Sequence, residues 1–219
     1  ASQAGGRDLE PPHATLRAAI DAWRRAAAQP ATCAWEHRVW NRSSARWLLS
    51  RVSDVSFLDG FERLERWPEK QKDFFQYAVL LHIGGLFADV DTMPLQPPGV
   101  WLERAAHVAT STATATATDI RLIVGLEARG SPEEARGWRW AGTTQLAAWA
   151  TAAAPGHPVM ARAAQQYLKS PPPEVGSWAR AQYDHSIAMG PGMLTQRVDE
   201  WLREATGSRL AQLRSVRRS

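Results

Sequence analysis

Apolar side chains recur at helical spacing in the segment that begins near Pro68, which predicts an amphipathic helix. The stripe consists of Phe74, Tyr77, Ala78 and Leu81. Gly84 and Gly85 end the pattern, because glycine readily adopts the left-handed conformation that closes a helix. Residues 86–88 are too few for another helix and too apolar for a surface loop. They predict a short buried strand.

The same periodicities predict elements along the rest of the chain. Helices are expected over residues 14–28, 43–50, 59–64, 143–153, 158–167 and 194–204. Strands are expected over residues 36–40 and 122–126. Ser43 or Ser44 is expected to cap the second helix, since a hydroxyl oxygen can accept from a free N–H of the first turn. Helices alternating with strands predict an α/β fold.

Two carboxylates follow the short strand, at Asp89 and Asp91, with one residue between them. Mg²⁺ and Mn²⁺ are hard ions that prefer carboxylate and phosphate oxygens. Such an ion can neutralise a diphosphate leaving group as its bond breaks. An isolated Asp-x-Asp pair is a weak signal, because many solvated turns carry one. The succession of helix, double glycine, strand and Asp-x-Asp is far more specific.

The segment from Asp73 to Leu95 resembles the Asp-x-Asp sugar-transferase domain of glycosyltransferase family 32. That family includes the fungal initiation-specific α-1,6-mannosyltransferases. Further segments resemble its motifs in the same order, including its Gln-rich helix and its Pro-Gly-His-Pro turn. These segments are residues 35–40, 91–97, 123–127, 145–149, 154–159 and 189–195. The resemblance therefore covers most of the chain.

The resemblance implies a nucleotide-sugar-binding domain of the GT-A type, which is a Rossmann-like fold. Asp89 and Asp91 would surround Mn²⁺ or Mg²⁺ and the diphosphate of the donor. Asp73 would touch the sugar or ribose of that donor. Gln76 stands one helical turn further on, and Tyr77 would shape the donor pocket.

The remaining site residues implied by the resemblance lie in turns and loops. Gly84 and Gly85 would shape the donor pocket together with the preceding helix. Glu127 and the loop Gly190-Pro191-Gly192 would lie on the acceptor side. In this interpretation Asp73, Gln76 and Glu127 are the candidate catalytic residues, and Gly190 and Gly192 contact the bound substrate.

Three departures from the family leave a second interpretation open. Gln76 occupies the position where the family has an arginine, and an amide cannot supply that fixed charge. An apolar opening strand is not evident, because residues 1–12 are polar and proline-rich. No histidine follows the Gly-Pro-Gly loop. We therefore expect a domain over residues 13–205 that lacks the usual first strand and C-terminal segment.

Two functions follow from these observations. The first is metal-dependent transfer of a hexose to a glycan acceptor, with mannose from a GDP-linked donor as one option. The alternative is a catalytically inactive GT-A-fold subunit that serves as a structural component of a larger assembly. The resemblance implies the Golgi lumen, whereas an assembly subunit could lie in another organelle or in the cytoplasm.

Composition limits the remaining possibilities. The net charge is +4, and the densest basic cluster lies in the expected tail, residues 206–219. That tail could contact a protein or ribonucleoprotein assembly, but no motif for sequence-specific nucleic-acid binding accompanies it. Residues 1–12 are expected to form a flexible leader, and the Ala/Thr alternation at 109–118 a mobile loop.

Cysteine and tryptophan contents are also informative. Cys33 is the only cysteine, which excludes an internal disulfide and a thiolate metal site. No segment of the sequence is both long enough and apolar enough to span a lipid bilayer. The chain has 11 tryptophans. Most are expected to anchor helices to the core, and one or two could stack on a sugar ring, without any indication of which.

Overall fold

The computed structural model describes residues 14–29, 34–52, 54–110, 120–138, 140, 142–169 and 189–212. Several expected features lie outside these residues. They are the leader at 1–12, most of the Ala/Thr loop and the last seven residues of the basic tail.

The described elements form a mixed α/β fold. The helices are α1 (Ala14–Ala27), α2 (Arg42–Val52), α3 (Val55–Arg63), α4 (Pro68–His82), α5 (Pro98–Thr110), α6 (Pro132–Trp138), α7 (Pro158–Lys169) and α8 (Pro191–Thr206). The strands are β1 (Gly85–Ala88), β2 (Leu122–Arg129) and β3 (Thr144–Ala153). A short 3₁₀ helix, Leu210–Gln212, follows α8. None of the described helices combines the length and apolar character that a bilayer span requires.

The strands form a three-stranded sheet in the order β1-β3-β2, with β2 antiparallel to β3. The β2–β3 pairing begins at Leu122 opposite Ala153 and ends at Arg129 opposite Thr144. The register shifts twice between these ends. One shift falls between Val124 and Gly125, and the other between Leu126 and Ala128. These interruptions are β-bulges, which leave extra residues without a partner and redirect their side chains.

The expected helix over residues 143–153 is wrong, because this segment is the central strand β3. Its alanines favour a helix when considered alone. In the folded protein β3 lies between two other strands, and helices α4 and α8 contact it. Nearly all of its side chains are buried, on both faces. Small side chains suit a strand enclosed in this way, so tertiary packing overrides the local preference.

Three other expectations need correction. Residues 36–40 form no strand, and they run without regular structure into α2. The cap of α2 is Asn41 rather than a serine, because its Oδ1 accepts from the Ser44 N–H at 2.8 Å. Ser44 Oγ accepts in return from the Asn41 N–H at 2.9 Å. The strand β1 is half-buried rather than buried.

The expected helices at 14–28, 43–50, 59–64, 158–167 and 194–204 are confirmed as α1, α2, α3, α7 and α8. Helix α4 begins at Pro68, as expected. The strand expected at 122–126 is confirmed and extends further, to Arg129. Helices α5 and α6 were not predicted. Because α5 runs to Thr110, the first two residues of the expected loop at 109–118 are helical.

The chain divides into two compact units. The first consists of residues 1–40 and 88–120, and the second of residues 41–87 and 121–219. In the second unit, helices α3, α4 and α7 share an aromatic core. Phe74 stacks on Phe57 with ring centroids 5.8 Å apart, and it also contacts Tyr167 at 5.9 Å. The predicted domain boundaries stay a prediction.

Candidate functional site

The Asp-x-Asp pair lies in a tight turn in the first unit. The Thr92 N–H donates to the Asp89 carbonyl oxygen at 3.0 Å, and Thr92 Oγ1 donates to the same oxygen at 2.6 Å. Asp89 is half-buried and Asp91 is exposed. The turn therefore has a fixed backbone, and the Asp91 carboxylate is open to solvent.

Helix α1 holds this turn through Trp23. The buried indole donates from Nε1 to the Thr92 carbonyl oxygen at 3.0 Å and lies 3.3 Å from Thr92 Oγ1. Its ring meets Trp101 of α5 edge to face, with centroids 6.2 Å apart. Sequence reasoning did not identify Trp23 as part of the site. The available signal was a large aromatic residue with an N–H donor on the apolar face of an Ala- and Arg-rich helix.

The residues of the turn fit a hard divalent ion. Mg²⁺ is commonly bound by one or two carboxylates together with substrate phosphates, rather than by a complete cage of protein ligands. Asp89 and Asp91 provide two such carboxylates. Within the described ranges, no group of three or more His, Cys, Asp or Glu side chains could hold a metal by itself. An ion held by Asp89 and Asp91 would thus need further ligands from outside the described His, Cys, Asp and Glu side chains.

Helix α4, in the second unit, presents Asp73 to a buried polar cluster. Asp73 is 3% exposed, and its Oδ1 lies 2.6 Å from Lys72 Nζ. Tyr167 Oη lies 3.4 Å from Asp73 Oδ2 and donates to the Met189 carbonyl oxygen at 2.7 Å. Burial, together with the negative charge of Asp73, raises the pKa of Tyr167 well above its usual value. The tyrosine therefore stays a neutral donor at physiological pH.

Gln76 lies in the core between α4 and β3. Its side chain is 0% exposed, and Nε2 donates to the Ala148 carbonyl oxygen at 2.6 Å. Its Oε1 has no hydrogen-bond partner among the described residues. Tyr77, the next residue, is also fully buried, and its ring centroid lies 6.0 Å from that of Tyr167. These two side chains connect secondary-structure elements, and neither is exposed to solvent.

The two glycines after α4 both have positive φ angles, +76° at Gly84 and +100° at Gly85. They differ in their surroundings. A Cβ on Gly84 would lie 2.6 Å from Pro155 Cδ and 2.9 Å from the Ala153 carbonyl oxygen, whereas one on Gly85 would meet nothing within 4 Å. The end of α4 is thus packed tightly against the turn that follows β3. A hydrogen bond from the Gly156 N–H to the Leu81 carbonyl oxygen, at 2.7 Å, reinforces this contact.

His157 caps α7 within the same turn. Its Nδ1 accepts from the Val159 N–H at 3.2 Å, so the neutral ring carries its proton on Nε2. The ring is fully buried and lies against Trp201, with centroids 5.1 Å apart. Burial, assisted by the charge of Arg121, lowers the pKa of His157. This histidine is a structural cap that must stay neutral.

The residues expected on the acceptor side occupy two places in the second unit. Glu127 is exposed on β2, and its Oε2 accepts from Gln145 Nε2 at 3.0 Å. Gly190 is the N-cap of α8, and Gly192 lies inside the helix rather than in a loop. Thr195 Oγ1 joins this helix to the sheet, since it accepts from the Leu146 N–H at 2.9 Å.

The second unit thus brings several of the predicted site residues together. Asp73, Gln76 and Tyr77 share helix α4, and Tyr167 links Asp73 to Met189, immediately before Gly190. Asp89 and Asp91 belong to the first unit, where Trp23 supports their turn. Tyr167 and Lys72 were not predicted to contribute. Both lie in segments whose periodicity indicates only a helix.

Comparison with known proteins gives a consistent result. Residues 14–108 match the family described as a glycosyltransferase sugar-binding region containing a DXD motif. The chain is 35% identical over 108 residues to an initiation-specific alpha-1,6-mannosyltransferase of Schizosaccharomyces pombe. The aligned segment covers 49% of the chain and 25% of that protein. It is 37% identical over 90 residues to the putative glycosyltransferase HOC1 of Saccharomyces cerevisiae, covering 40% of the chain and 20% of that protein.

A third relative is an initiation-specific alpha-1,6-mannosyltransferase of Candida albicans, 28% identical over 88 residues, or 40% of the chain and 21% of that protein. The aligned part of the chain thus spans a quarter or less of the curated relatives it matches. No solved structure matches the chain. The resemblance seen in the sequence is nevertheless confirmed, since residues 14–108 match the DXD-containing sugar-binding region of a glycosyltransferase family and two of the three relatives are named mannosyltransferases.

Proposed function

We propose that this chain provides the donor-binding part of a metal-dependent glycosyltransferase with a GT-A-like fold. It would transfer a hexose, with mannose from a GDP-linked donor as the first candidate, to a glycan acceptor in the Golgi lumen. The observation that carries the proposal is the turn from Asp89 to Thr92, which directly follows β1 and is held by the indole of Trp23. This turn lies within residues 14–108, the segment that matches the glycosyltransferase family.

Asp89 and Asp91 would hold the ion, with Mn²⁺ or Mg²⁺ as the candidates. When bound, the ion supplies positive charge to the diphosphate as the glycosidic bond to the donor breaks. The protein contributes a backbone that is already fixed in the free state. Since Thr92 accepts from Trp23 and donates to the Asp89 carbonyl oxygen, the backbone that carries the two carboxylates needs little reorganisation when an ion binds.

The buried residues of α4 would act through the groups they hold. Asp73 is nearly inaccessible and is oriented by Lys72 and Tyr167, so we assign it a positioning role within the second unit. Gln76 would position β3 through its bond to Ala148, rather than contact the reacting atoms. Tyr77 is buried as well, so with the turn Gly84-Gly85 it would stabilise the end of α4 rather than contact the donor.

On the acceptor side, we propose that Glu127 accepts hydrogen bonds from sugar hydroxyls. It is exposed, and Gln145 fixes one of its two oxygens. Gly190 and Gly192 are buried at the start of α8, so we assign them to the packing that supports the acceptor side.

A second candidate is a GT-A-fold subunit without catalysis, acting as a structural component of an assembly. One observation favours it. Gln76 stands where the family resemblance leads us to expect an arginine, and it is fully buried and bonded to the backbone of β3. An arginine placed in this position would bury its charge, which is costly unless it is paired. The core has therefore adapted to an uncharged side chain.

A calorimetric titration separates the two candidates. Mn²⁺ with GDP, and then with UDP, is titrated into the purified chain and into the double variant Asp89→Ala/Asp91→Ala. We expect nucleotide binding that requires the metal and is abolished in the double variant. A matched control is Asp59→Ala/Glu133→Ala, which removes two exposed carboxylates from other helices. If the unmodified chain does not bind either nucleotide with Mn²⁺, the noncatalytic subunit is the better description.

A further inference from the structure

The first register shift between β2 and β3 isolates a tryptophan. Val124 pairs with Thr151 and the next residue, Gly125, pairs with Ala147, so Ala148, Trp149 and Ala150 of β3 have no partners on β2. Ala148 and Ala150 are buried, whereas Trp149 is 44% exposed in an otherwise buried strand. The bulge thus turns one large aromatic side chain out of the core.

A buried hydrogen bond supports this arrangement. A bulge leaves backbone groups without a partner in the ladder, and a buried carbonyl without a partner costs stability. Gln76 Nε2 donates to the Ala148 carbonyl oxygen at 2.6 Å, which satisfies that group from the α4 side. The bulge is therefore built into the core, and the exposed position of Trp149 follows from that packing.

The second register shift isolates Glu127 in the same way. Leu126 pairs with Leu146 and Ala128 pairs with Gln145, so Glu127 is the extra residue on β2. It is exposed, and Gln145 holds its carboxylate at 3.0 Å. The two bulges are separated by two rungs of the ladder, roughly 7–10 Å of strand at about 3.3 Å per residue. A single pyranose ring or a disaccharide spans a distance of this size.

Gly125 lies beside the first bulge and leaves space there. It is exposed and carries no side chain, and an added Cβ would already approach Ala147 Cβ to 3.4 Å. An indole face and a carboxylate, next to a position without a side chain, form a combination suited to a neutral sugar. The C–H face of the ring packs on the indole, and the hydroxyls donate to the carboxylate.

We propose that Trp149 and Glu127 form a sugar-binding subsite for the glycan acceptor, with Trp149 stacking on one pyranose ring. The inference rests on the proposed function for the choice of sugar, and it assigns the acceptor side to the β2–β3 ribbon. It also selects one tryptophan from the 11 in the chain. Gln76 is then a positioning residue, because it holds the bulge that presents Trp149.

The test uses the full chain and the indole N–H signals in an NMR titration with α-1,6-linked mannotriose. The variants are Trp149→Ala, Trp149→Phe and Glu127→Gln, with Trp138→Ala as the matched control for an exposed indole on α6. We expect the Trp149 signal to shift, the affinity to fall about tenfold or more in Trp149→Ala, and a smaller loss in Trp149→Phe and Glu127→Gln. A tenfold loss corresponds to about 1.4 kcal/mol. Trp138→Ala should bind as the unmodified chain does.

Mn²⁺–GDP binding, measured on the same samples, separates this inference from the proposed function. It should be unchanged in Trp149→Ala, Trp149→Phe and Trp138→Ala. A chain that binds mannotriose through Trp149 but fails to bind Mn²⁺–GDP would contradict the transferase and leave the subsite in place. If Trp149→Ala binds the trisaccharide as tightly as the unmodified chain, or if the unmodified chain does not bind it at millimolar concentration, the subsite is refuted.

Discussion

The indole nitrogen of Trp23 donates a hydrogen bond of 3.0 Å to the carbonyl oxygen of Thr92, 69 residues further along the chain. Asp89 and Asp91 lie in the turn that this contact joins to helix α1. The helix itself contributes no metal ligand. The geometry of the candidate metal site thus depends on a residue with no metal chemistry of its own.

Replacing Trp23 with phenylalanine should therefore weaken metal-dependent nucleotide binding. The change removes the N–H donor and keeps an aromatic ring against Trp101. We expect a loss of about 1 kcal/mol in the free energy of unfolding, and about fivefold weaker Mn²⁺–GDP binding, as for one lost hydrogen bond. Urea unfolding and calorimetry measure the two effects. The matched control Trp101→Phe alters the same ring contact but keeps the Trp23 donor to Thr92, and an equal loss of affinity there would contradict this explanation.

The two glycines after α4 should respond differently to alanine. Both changes force a side chain into a left-handed conformation, which costs roughly 1–2 kcal/mol. Gly84→Ala adds a clash with Pro155 Cδ and the Ala153 carbonyl oxygen, whereas a Cβ at Gly85 meets open space. We expect Gly84→Ala to lower the free energy of unfolding by about 2–5 kcal/mol in all, because overpacking adds roughly 1–3 kcal/mol to the cost of the backbone conformation. Equal losses in urea unfolding of the two variants would show that the contact with the turn after β3 is unimportant.

Stability should fall at mildly acidic pH because of His157. Burial lowers its pKa in the folded state, whereas the unfolded chain has a pKa near about 6.5. Between these two pKa values the unfolded state binds more protons than the folded state. The contribution of His157 to stability is therefore complete above about pH 6.5, and it is lost as the pH falls through the pKa of the folded state. Protonation of Nδ1 would also remove the acceptor for the Val159 N–H.

The measurement is the free energy of unfolding at pH 7, 6 and 5 for the unmodified chain and for His157→Asn. Asparagine can still cap α7, but it does not titrate. The comparison between the two proteins is needed because burial also lowers the pKa of His82, which adds a dependence of the same sign. We expect a smaller loss of stability between pH 7 and 5 in the variant. Identical slopes would contradict the assignment to His157.

Tyr167→Phe tests the link between Asp73 and the start of α8. The change deletes only the hydroxyl, which leaves the buried Met189 carbonyl oxygen without this donor. We expect a loss of about 1–3 kcal/mol in unfolding free energy, as for a buried acceptor left without its bond. A variant as stable as the unmodified chain would show that water replaces the bond without cost.

The sequence by itself determined those helices, turns and strands that depend on residues only a few positions apart. Pro68 and the apolar stripe of α4, the two glycines after it and the carboxylates after β1 are all separated by a few residues, so their order alone fixes a helix, a stop, a strand and a turn. The same holds for α1, α7 and α8. The resemblance to a glycosyltransferase family rests on the same local motifs, and the comparisons confirm it.

Only the tertiary structure decided the role of β3 and of the side chains that depend on it. Its alanines prefer a helix, yet enclosure between β1, β2, α4 and α8 makes it a strand. Gln76 is a core donor to the Ala148 carbonyl oxygen within the bulge of β3, and Trp149, the next residue, is exposed. Trp23 and Tyr167 found their partners 69 and 22 residues away. Such contacts follow from packing and hydrogen-bond satisfaction in three dimensions, which no short window of sequence contains.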